Sequence, residues 1–288
     1  MNGLIGKIQR SSTKDGPGIR TTVFMVGCNL RCKWCANPEL LKADQVMYHK
    51  EKCYRCGSCL AYEGIQWDTT GVKINRSQCI KIKELEEICP FEAYENVGKW
   101  MGSDELVQIL LKDKEYYSQS NGGVTFSGGE ALLQADFVYE CTKKLHKYGI
   151  HVTLDTACAL PYHPVLDEVD LILLDIKAYD ALLHKKCTGI KNDQILENAK
   201  KIRKPVIVRM VLVPEFNDEL EDIKKRIDFA STIHCIQIDF LKYHILGVSK
   251  YEQLGLSYEC SLKELDETIL QSAIKYAEEK HIEYTIGG

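Results

Sequence analysis

Apolar positions along the chain fall into short runs separated by longer amphipathic stretches. RTTVFMVG, residues 20–27, is rich in β-branched and aromatic residues and stops at glycine, which reads as a strand. Five later runs have the same character: GVTFS around Val124, HVTLD from His151, VDLILLDIK from Val169, VIVRMVLV from Val206 and IQIDFLKY from Ile236. Amphipathic stretches between and after them predict helices over 130–148, 194–203, 218–231 and 262–280. A further helix is predicted over 103–119, with Ser103 as N-cap and Asp104 and Glu105 in the first turn, where acidic groups suit the helix dipole. Strands alternating with helices of this size predict repeated βαβ units on a parallel sheet. About six such units point to an α/β fold, a partial (β/α)6 TIM-like barrel, because a full eightfold barrel would use the whole length. From about Tyr48 to Lys99 the rhythm gives way to cysteines, short polar turns and a Cys-Pro dipeptide. The expected organisation is a barrel in two parts, 1–47 and 100–288, around a small insert at 48–99.

The length of 288 residues suffices for one large or two ordinary domains. With 37 basic and 41 acidic residues the formal net charge is −4, which argues against nucleic-acid binding through bulk electrostatics. No run of 18 apolar residues suggests a membrane span, and MNGLIGKIQRSS lacks the apolar core of a signal peptide. These features predict a cytoplasmic, soluble chain without nucleic-acid or membrane partners, and a monomer is expected.

Cysteine usage changes the picture. Eight of the 13 cysteines lie between Cys28 and Cys89, whereas Cys141, Cys158, Cys187, Cys235 and Cys260 are scattered singly and read as buried apolar residues. In a reducing compartment clustered thiols mean metal or redox chemistry. VGCNLRCKWCANPE sets Cys28, Cys32 and Cys35 at C-x3-C-x2-C just past the first predicted strand. A structural zinc site needs four protein ligands, whereas a [4Fe–4S] cube on three thiolates leaves one iron open to a chelating substrate. A zinc loop with a distant fourth ligand is the alternative.

This spacing, with Trp34 just before the third cysteine, resembles the signature of the radical S-adenosylmethionine (SAM) enzymes. The resemblance implies that Cys28, Cys32 and Cys35 hold a [4Fe–4S] cluster whose open iron takes the amino and carboxylate groups of SAM. It further implies reductive cleavage of SAM to methionine and a 5′-deoxyadenosyl radical. GGVTFSGGE matches the family's GGE motif, which implies that Gly128, Gly129 and Glu130 meet the methionyl amino group. The glycines would let backbone approach the ligand closely. Asp155, Asp175, Lys177 and His244 stand at predicted strand ends, where a barrel builds its active site. Singly each would be an ordinary solvated group; together they match the SAM contacts of the family. Trp34, Cys35, Ala36 and Ile176 complete the SAM-binding set that the resemblance implies.

DGPGIR (Asp15 to Arg20), SGGEALLQ and YHILGVSKYEQLGL narrow the resemblance to glycyl-radical-enzyme activases, of the pyruvate formate-lyase activating enzyme type with a ferredoxin-like insert. The implied reaction is hydrogen abstraction from a glycine Cα of a partner glycyl-radical enzyme. No side-chain acid or base is needed, and a reduced flavodoxin or ferredoxin would donate the electron. Two rival readings are a radical SAM enzyme acting on another peptide or small molecule and a plain ferredoxin-like electron carrier.

In the insert, Cys53, Cys56 and Cys59 form C-x2-C-x2-C, with Cys89-Pro90 thirty residues on. In two-cluster ferredoxins the distant Cys-Pro completes the first cluster. Here Ile82, Leu85 and Glu63 stand where the second cluster's remaining cysteines belong. One auxiliary [4Fe–4S] cluster on Cys53, Cys56, Cys59 and Cys89 is therefore expected, with Cys79 a leftover thiol and a zinc site the alternative.

Overall fold

A computed structural model describes residues 1–69, 71–260 and 263–287. The chain begins with an antiparallel pair, β1 (Asn2–Ser12) and β2 (Arg20–Met25). Four short strands follow: β3 (Val46–Tyr48), β4 (Ile65–Trp67), β5 (Val72–Ile74) and β6 (Tyr94–Asn96), with one helical turn, α1 (Leu85–Ile88). After β7 (Lys99–Gly102), helices α2 (Ser103–Leu111) and α3 (Lys114–Ser120) lead into β8 (Gly123–Gly128). Next come α4 (Ala135–His146), β9 (His151–Thr156), α5 (Val165–Glu168) and β10 (Leu171–Asp175). Helices α6 (Ala181–Thr188) and α7 (Asp193–Lys201) precede β11 (Val206–Leu212), and α8 (Leu220–Ala230) precedes β12 (Cys235–Lys242). The described chain ends with α9 (Val248–Gln253), α10 (Glu267–Glu279) and β13 (Tyr284–Ile286).

Nine strands form one sheet in the order β13-β12-β11-β10-β9-β8-β2-β1-β7. From β2 to β13 every neighbour is parallel, and only β1 is reversed, pairing antiparallel with both β2 and β7. All six expected strands are present. β1, β7 and β13 extend the array beyond the sequence expectation. Alternate residues of a strand face opposite sides of the sheet. One set, including Val23, Phe126, Leu154, Leu174, Val208 and Phe240, packs against the helices through Leu106, Phe137, Leu145, Ile223 and Leu270. The other set is in large part polar: Thr22, Thr125, Ser127, Thr153, Asp155, Asp175, Arg209 and Asp239. A parallel α/β sheet with a polar second face has to use that face for something.

Helix ends differ from the sequence expectation for local reasons. Ser103 is not an N-cap; it is the first residue of α2, and Gly102 holds the cap position. The Ser103 hydroxyl donates to Glu140 Oε1 at 2.6 Å and accepts from Lys144 Nζ at 2.8 Å, binding α2 to α4 instead. The helix expected over 103–119 breaks at Asp113, which is drawn out to ion-pair with Arg10 and accept from the Thr21 hydroxyl. The helix expected from residue 130 starts at Ala135, after a 3-10 turn (Ala131–Gln134) capped by Glu130. The last helix starts at Glu267, where Asp266 accepts from Thr268 N at 2.9 Å; Leu262, its expected start, lies outside the described residues.

Between β2 and β7 the chain builds a small unit of two two-stranded antiparallel sheets, β3–β6 and β4–β5. It has its own apolar centre of Val46, Ile65, Val72, Leu85, Ala93 and Tyr94, joined by Cys59 and Cys79.

Candidate active site

The loop after β2 carries Cys28, Cys32 and Cys35 and is held on two sides by backbone bonds and on a third by side chains. Gly27 N and Cys28 N donate to Leu40 O and Leu41 O, at 2.8 and 3.2 Å. Arg31 N and Lys33 N donate to Thr188 O and Cys187 O at the end of α6, at 2.8 and 3.0 Å. On the third side, α9 holds the loop's exit. Lys250 Nζ donates to Asn37 and ion-pairs with Glu39, and Tyr251 Oη donates to Cys35 O at 3.1 Å.

The GGE segment is locked to the same loop. Gly129 N donates to Met25 O at 2.9 Å and Glu130 N to Gly27 O at 2.7 Å. Gly128 has φ +121°, and a Cβ there would lie 2.2 Å from Met25 N. A Cβ on Gly129 would lie 2.2 Å from Gly27 O. These glycines are required by the close approach of two strand ends, whose backbone fills the space a Cβ would need. Glu130 is 2% exposed. Its carboxylate accepts from the Thr156 hydroxyl at 2.5 Å, Ala157 N at 3.0 Å and Leu132 N at 3.1 Å, tying β8 to the end of β9.

Further round the sheet the polar face forms a charged floor. Asp155 accepts from the Ser127 hydroxyl at 2.6 Å and pairs with Arg209 at 3.3 Å. Asp175 lies beside Arg209 in the β10–β11 register, as Asp239 does in β11–β12. Lys177 Nζ donates to Asp175 at 2.8 Å, and its backbone carbonyl accepts from the fully buried Asn217, which positions the segment after β10. Burial opposes the Lys177 charge, but Asp175 and the Cys32 thiol outweigh it and hold its pKa above the ordinary value. The same balance raises Arg209, where Asp155, Asp175, Asp15 and Asp239 outweigh burial. Asp155 goes the other way for a carboxylate: burial pushes it up to about 6.

Burial also raises the three thiols, Cys28 to about 11 and Cys32 to about 12, with Cys35 shifted in the same direction. Lys177 pulls all three back toward the thiolate, and repulsion between neighbouring thiolates adds to the rise at Cys28 and Cys32. Iron binds thiolate, so metal loading displaces protons here, and Lys177 is the cation placed to favour that. Among the described residues no three His, Cys, Asp or Glu groups close around a single ion. A four-iron cube makes no such demand, because each sulfur binds a different iron. Three grouped thiols with one adjacent ammonium are a donor set that fits such a cube.

The other expected residues are spread more widely. Trp34 is buried against Phe216, edge to face at 6.1 Å, in a cluster with Cys187, Val213 and Cys260. Ile176 is buried in the main core, its amide donating to Arg209 O. Ala36 abuts Gly247, where a Cβ would lie 2.7 Å from Ala36 O. His244 is exposed, two residues beyond β12. Sequence reasoning missed Arg209, Asp239 and Asn217. The first two had a signal, a charged residue at the alternate position of an otherwise apolar strand; Asn217 sits in a loop and had none.

In the insert, Cys53, Cys56, Cys59 and Cys89 line one cleft together with Tyr54, Trp67, Phe91 and Tyr94. Cys79 lies instead on a separate hollow with Glu63, Glu84 and Lys81. Arg76 and His49 link this unit to α9: Arg76 donates to Gln253 O at 3.0 Å, and His49 Nδ1 lies 3.4 Å from Gln253 Nε2.

Residues 22–227 match the Radical SAM superfamily model. The chain is 36% identical to the 4-hydroxyphenylacetate decarboxylase activating enzyme of Clostridioides difficile (strain CD196), over 94% of this chain and 92% of that one. It is 37% identical to the (2S)-3-sulfopropanediol dehydratase activating enzyme of Klebsiella oxytoca, over 89% and 87% of the two chains. Among solved structures it resembles Streptococcus suis SuiB in fold, with a TM-score of 0.56 at 15% identity over 91% of this chain and 47% of that one. Three thiols beside a GGE segment at the C-terminal ends of β2 and β8, and full-length relatives that activate other enzymes, converge on one assignment: the chain belongs to the radical SAM superfamily and, within it, to the glycyl-radical-enzyme activating enzymes.

Proposed function

We propose that this chain installs a glycyl radical on a partner enzyme at the charged floor between the Cys28–Cys35 loop and the ends of β8 to β12. The observation that carries the reading is the backbone lock between the cysteine loop and the GGE segment, which sets three thiols and Lys177 beside one polar sheet face. A [4Fe–4S] cluster bound with SAM supplies one-electron cleavage of the sulfonium, giving methionine and a 5′-deoxyadenosyl radical able to take hydrogen from a glycine Cα.

The chain's own residues do the rest. Cys28, Cys32 and Cys35 hold the cluster. Gly128, Gly129 and Glu130 present a rigid edge to the methionyl amino group, and Trp34, Cys35, Ala36 and Ile176 bound the same space. Asp155 and Asp175 accept from hydroxyl or ammonium groups, while the Lys177 ammonium and a ring N–H of His244 pair with the methionyl carboxylate. A Cα radical is stabilised by its flanking amide and carbonyl, so no side-chain base is required.

The architecture in this reading is a partial (β/α)6 barrel, 1–47 and 100–288, around a ferredoxin-like insert at 48–99. Cys53, Cys56, Cys59 and Cys89, which share one cleft, hold a single auxiliary [4Fe–4S] cluster. The separation of Cys79 from that cleft supports one insert cluster rather than two. A reduced flavodoxin or ferredoxin supplies electrons to a monomeric, cytoplasmic enzyme. Among the described residues no helix is long and apolar enough to cross a membrane.

The test is SAM cleavage by the reconstituted, reduced protein. The parent should form 5′-deoxyadenosine, and Cys28→Ala, Cys32→Ala and Cys35→Ala should each abolish it while staying soluble. Parent-level product from any of the three contradicts the assignment.

A further inference from the structure

Two tyrosines of the insert stand opposite one another across β3 and β6: Tyr48 pairs with Tyr94, with ring centres 5.2 Å apart. Both hydroxyl oxygens are sealed from solvent, and neither has a hydrogen-bond partner of ordinary geometry. Folded proteins rarely leave one buried hydroxyl so, and here there are two side by side. Each hydroxyl faces a cysteine, Cys53 for Tyr48, which also has the Val72 backbone beside it, and Cys59 for Tyr94. Both cysteines belong to the four-sulfur cleft, and Tyr94 forms part of its wall. A neutral thiol is a weak acceptor. A sulfur that has given up its proton to bind iron carries negative charge, and a hydrogen bond to it is correspondingly stronger. Sulfurs that bind iron would offer both hydroxyls a strong acceptor.

We propose that Tyr48 and Tyr94 donate hydrogen bonds to the Sγ atoms of Cys53 and Cys59 in an iron–sulfur cluster held by the insert, and that these donors raise its reduction potential. The inference rests on reading the four-cysteine cleft as a [4Fe–4S] site. Reduction brings in one electron from an external carrier and moves no proton. The added negative charge falls partly on the sulfurs, so donors facing them hold the reduced form more strongly than the oxidised one. Phenylalanine at either position preserves the ring pair and removes only the donor.

The experiment is a dye-mediated redox titration of the full-length, reconstituted protein, followed by electron paramagnetic resonance (EPR). The insert cluster is recognised as the signal that SAM does not change. Tyr48→Phe and Tyr94→Phe should each lower its potential. The double variant should show about a tenfold smaller reduced-to-oxidised ratio at a fixed ambient potential, which is 59 mV for a one-electron couple. After exchange into deuterium oxide, the reduced parent should show deuterons coupled to the cluster, one lost in each single variant. That second readout decides the matter if the double variant loads iron poorly. Unchanged potentials and deuteron couplings in fully loaded variants overturn the donation. A parent with about four irons rather than about eight overturns the cluster reading, and the donation with it.

Discussion

Replacing Asp155 by Asn should stabilise the protein in mildly alkaline buffer while weakening its hold on SAM. Burial lifts the Asp155 carboxyl from 3.8 to about 6; Arg209 and Ser127 oppose the rise, and Asp175 adds to it. A folded-state pKa above the unfolded one means that the folded protein keeps this proton more tightly. The stability linked to it is complete below about pH 3.8 and is lost as pH rises through about 6. Above that, the ionised carboxylate costs about two pKa units, roughly 3 kcal/mol at about 1.4 kcal/mol per unit. Asn keeps the shape and an acceptor for the Ser127 hydroxyl; the pull of Arg209 is already contained in the shift, and relaxation of the site around the ionised carboxylate removes part of its cost, so a net gain of about 1–2 kcal/mol is expected. For a chain of this size that is roughly 2–6 °C in the apparent unfolding midpoint at pH 8, shrinking toward zero near pH 4. Anaerobic thermal scans at one fixed rate across this range measure it. Titration with SAM at pH 8 should show roughly tenfold weaker binding. A midpoint at pH 8 equal to or below the parent's, or a gain that does not vary with pH, would refute the reasoning.

Lys177→Ala and His244→Ala should each weaken SAM binding about ten- to a hundredfold, the loss of one charge-assisted contact of roughly 1.5–3 kcal/mol, with iron content intact. Binding curves that match the parent would make both residues bystanders. Gly129→Ala should lower the unfolding midpoint and impair iron loading, because its Cβ would meet Gly27 O at 2.2 Å and backbone cannot yield cheaply; a parent-like variant would show that the lock is not tight. Iron analysis should give about eight irons per chain, about four after Cys53, Cys56 and Cys59 are all changed to Ala, and no change in Cys79→Ala. About twelve irons would mean a second insert cluster.

The six parallel strands were legible because each is a short run rich in β-branched and aromatic residues, bounded by turn residues or an amphipathic stretch. β1 was not, since NGLIGKIQRSS mixes polar and apolar residues in an antiparallel strand beside β7. Helix starts were the weak point: Ser103 looks like a cap, yet its hydroxyl is used by Glu140 and Lys144 from another helix, which no local pattern reveals. Within the site, the cysteine spacing was a local signal and was readable. The packing requirement at Gly128 and Gly129 comes from long-range strand contacts, which the sequence alone does not show. Arg209 was visible as a charge inside VIVRMVLV, but its partners Asp155 and Asp175 depend on strand register, which one sequence does not contain.

The most direct test of the central claim mixes the reduced, reconstituted chain with a glycyl-radical enzyme that it activates and records the EPR spectrum with and without SAM. The account predicts a doublet from a glycine Cα radical on the partner, dependent on SAM, accompanied by 5′-deoxyadenosine and absent when Cys32→Ala replaces the parent. SAM cleavage at the parent rate with no such doublet on any glycyl-radical enzyme offered would contradict it.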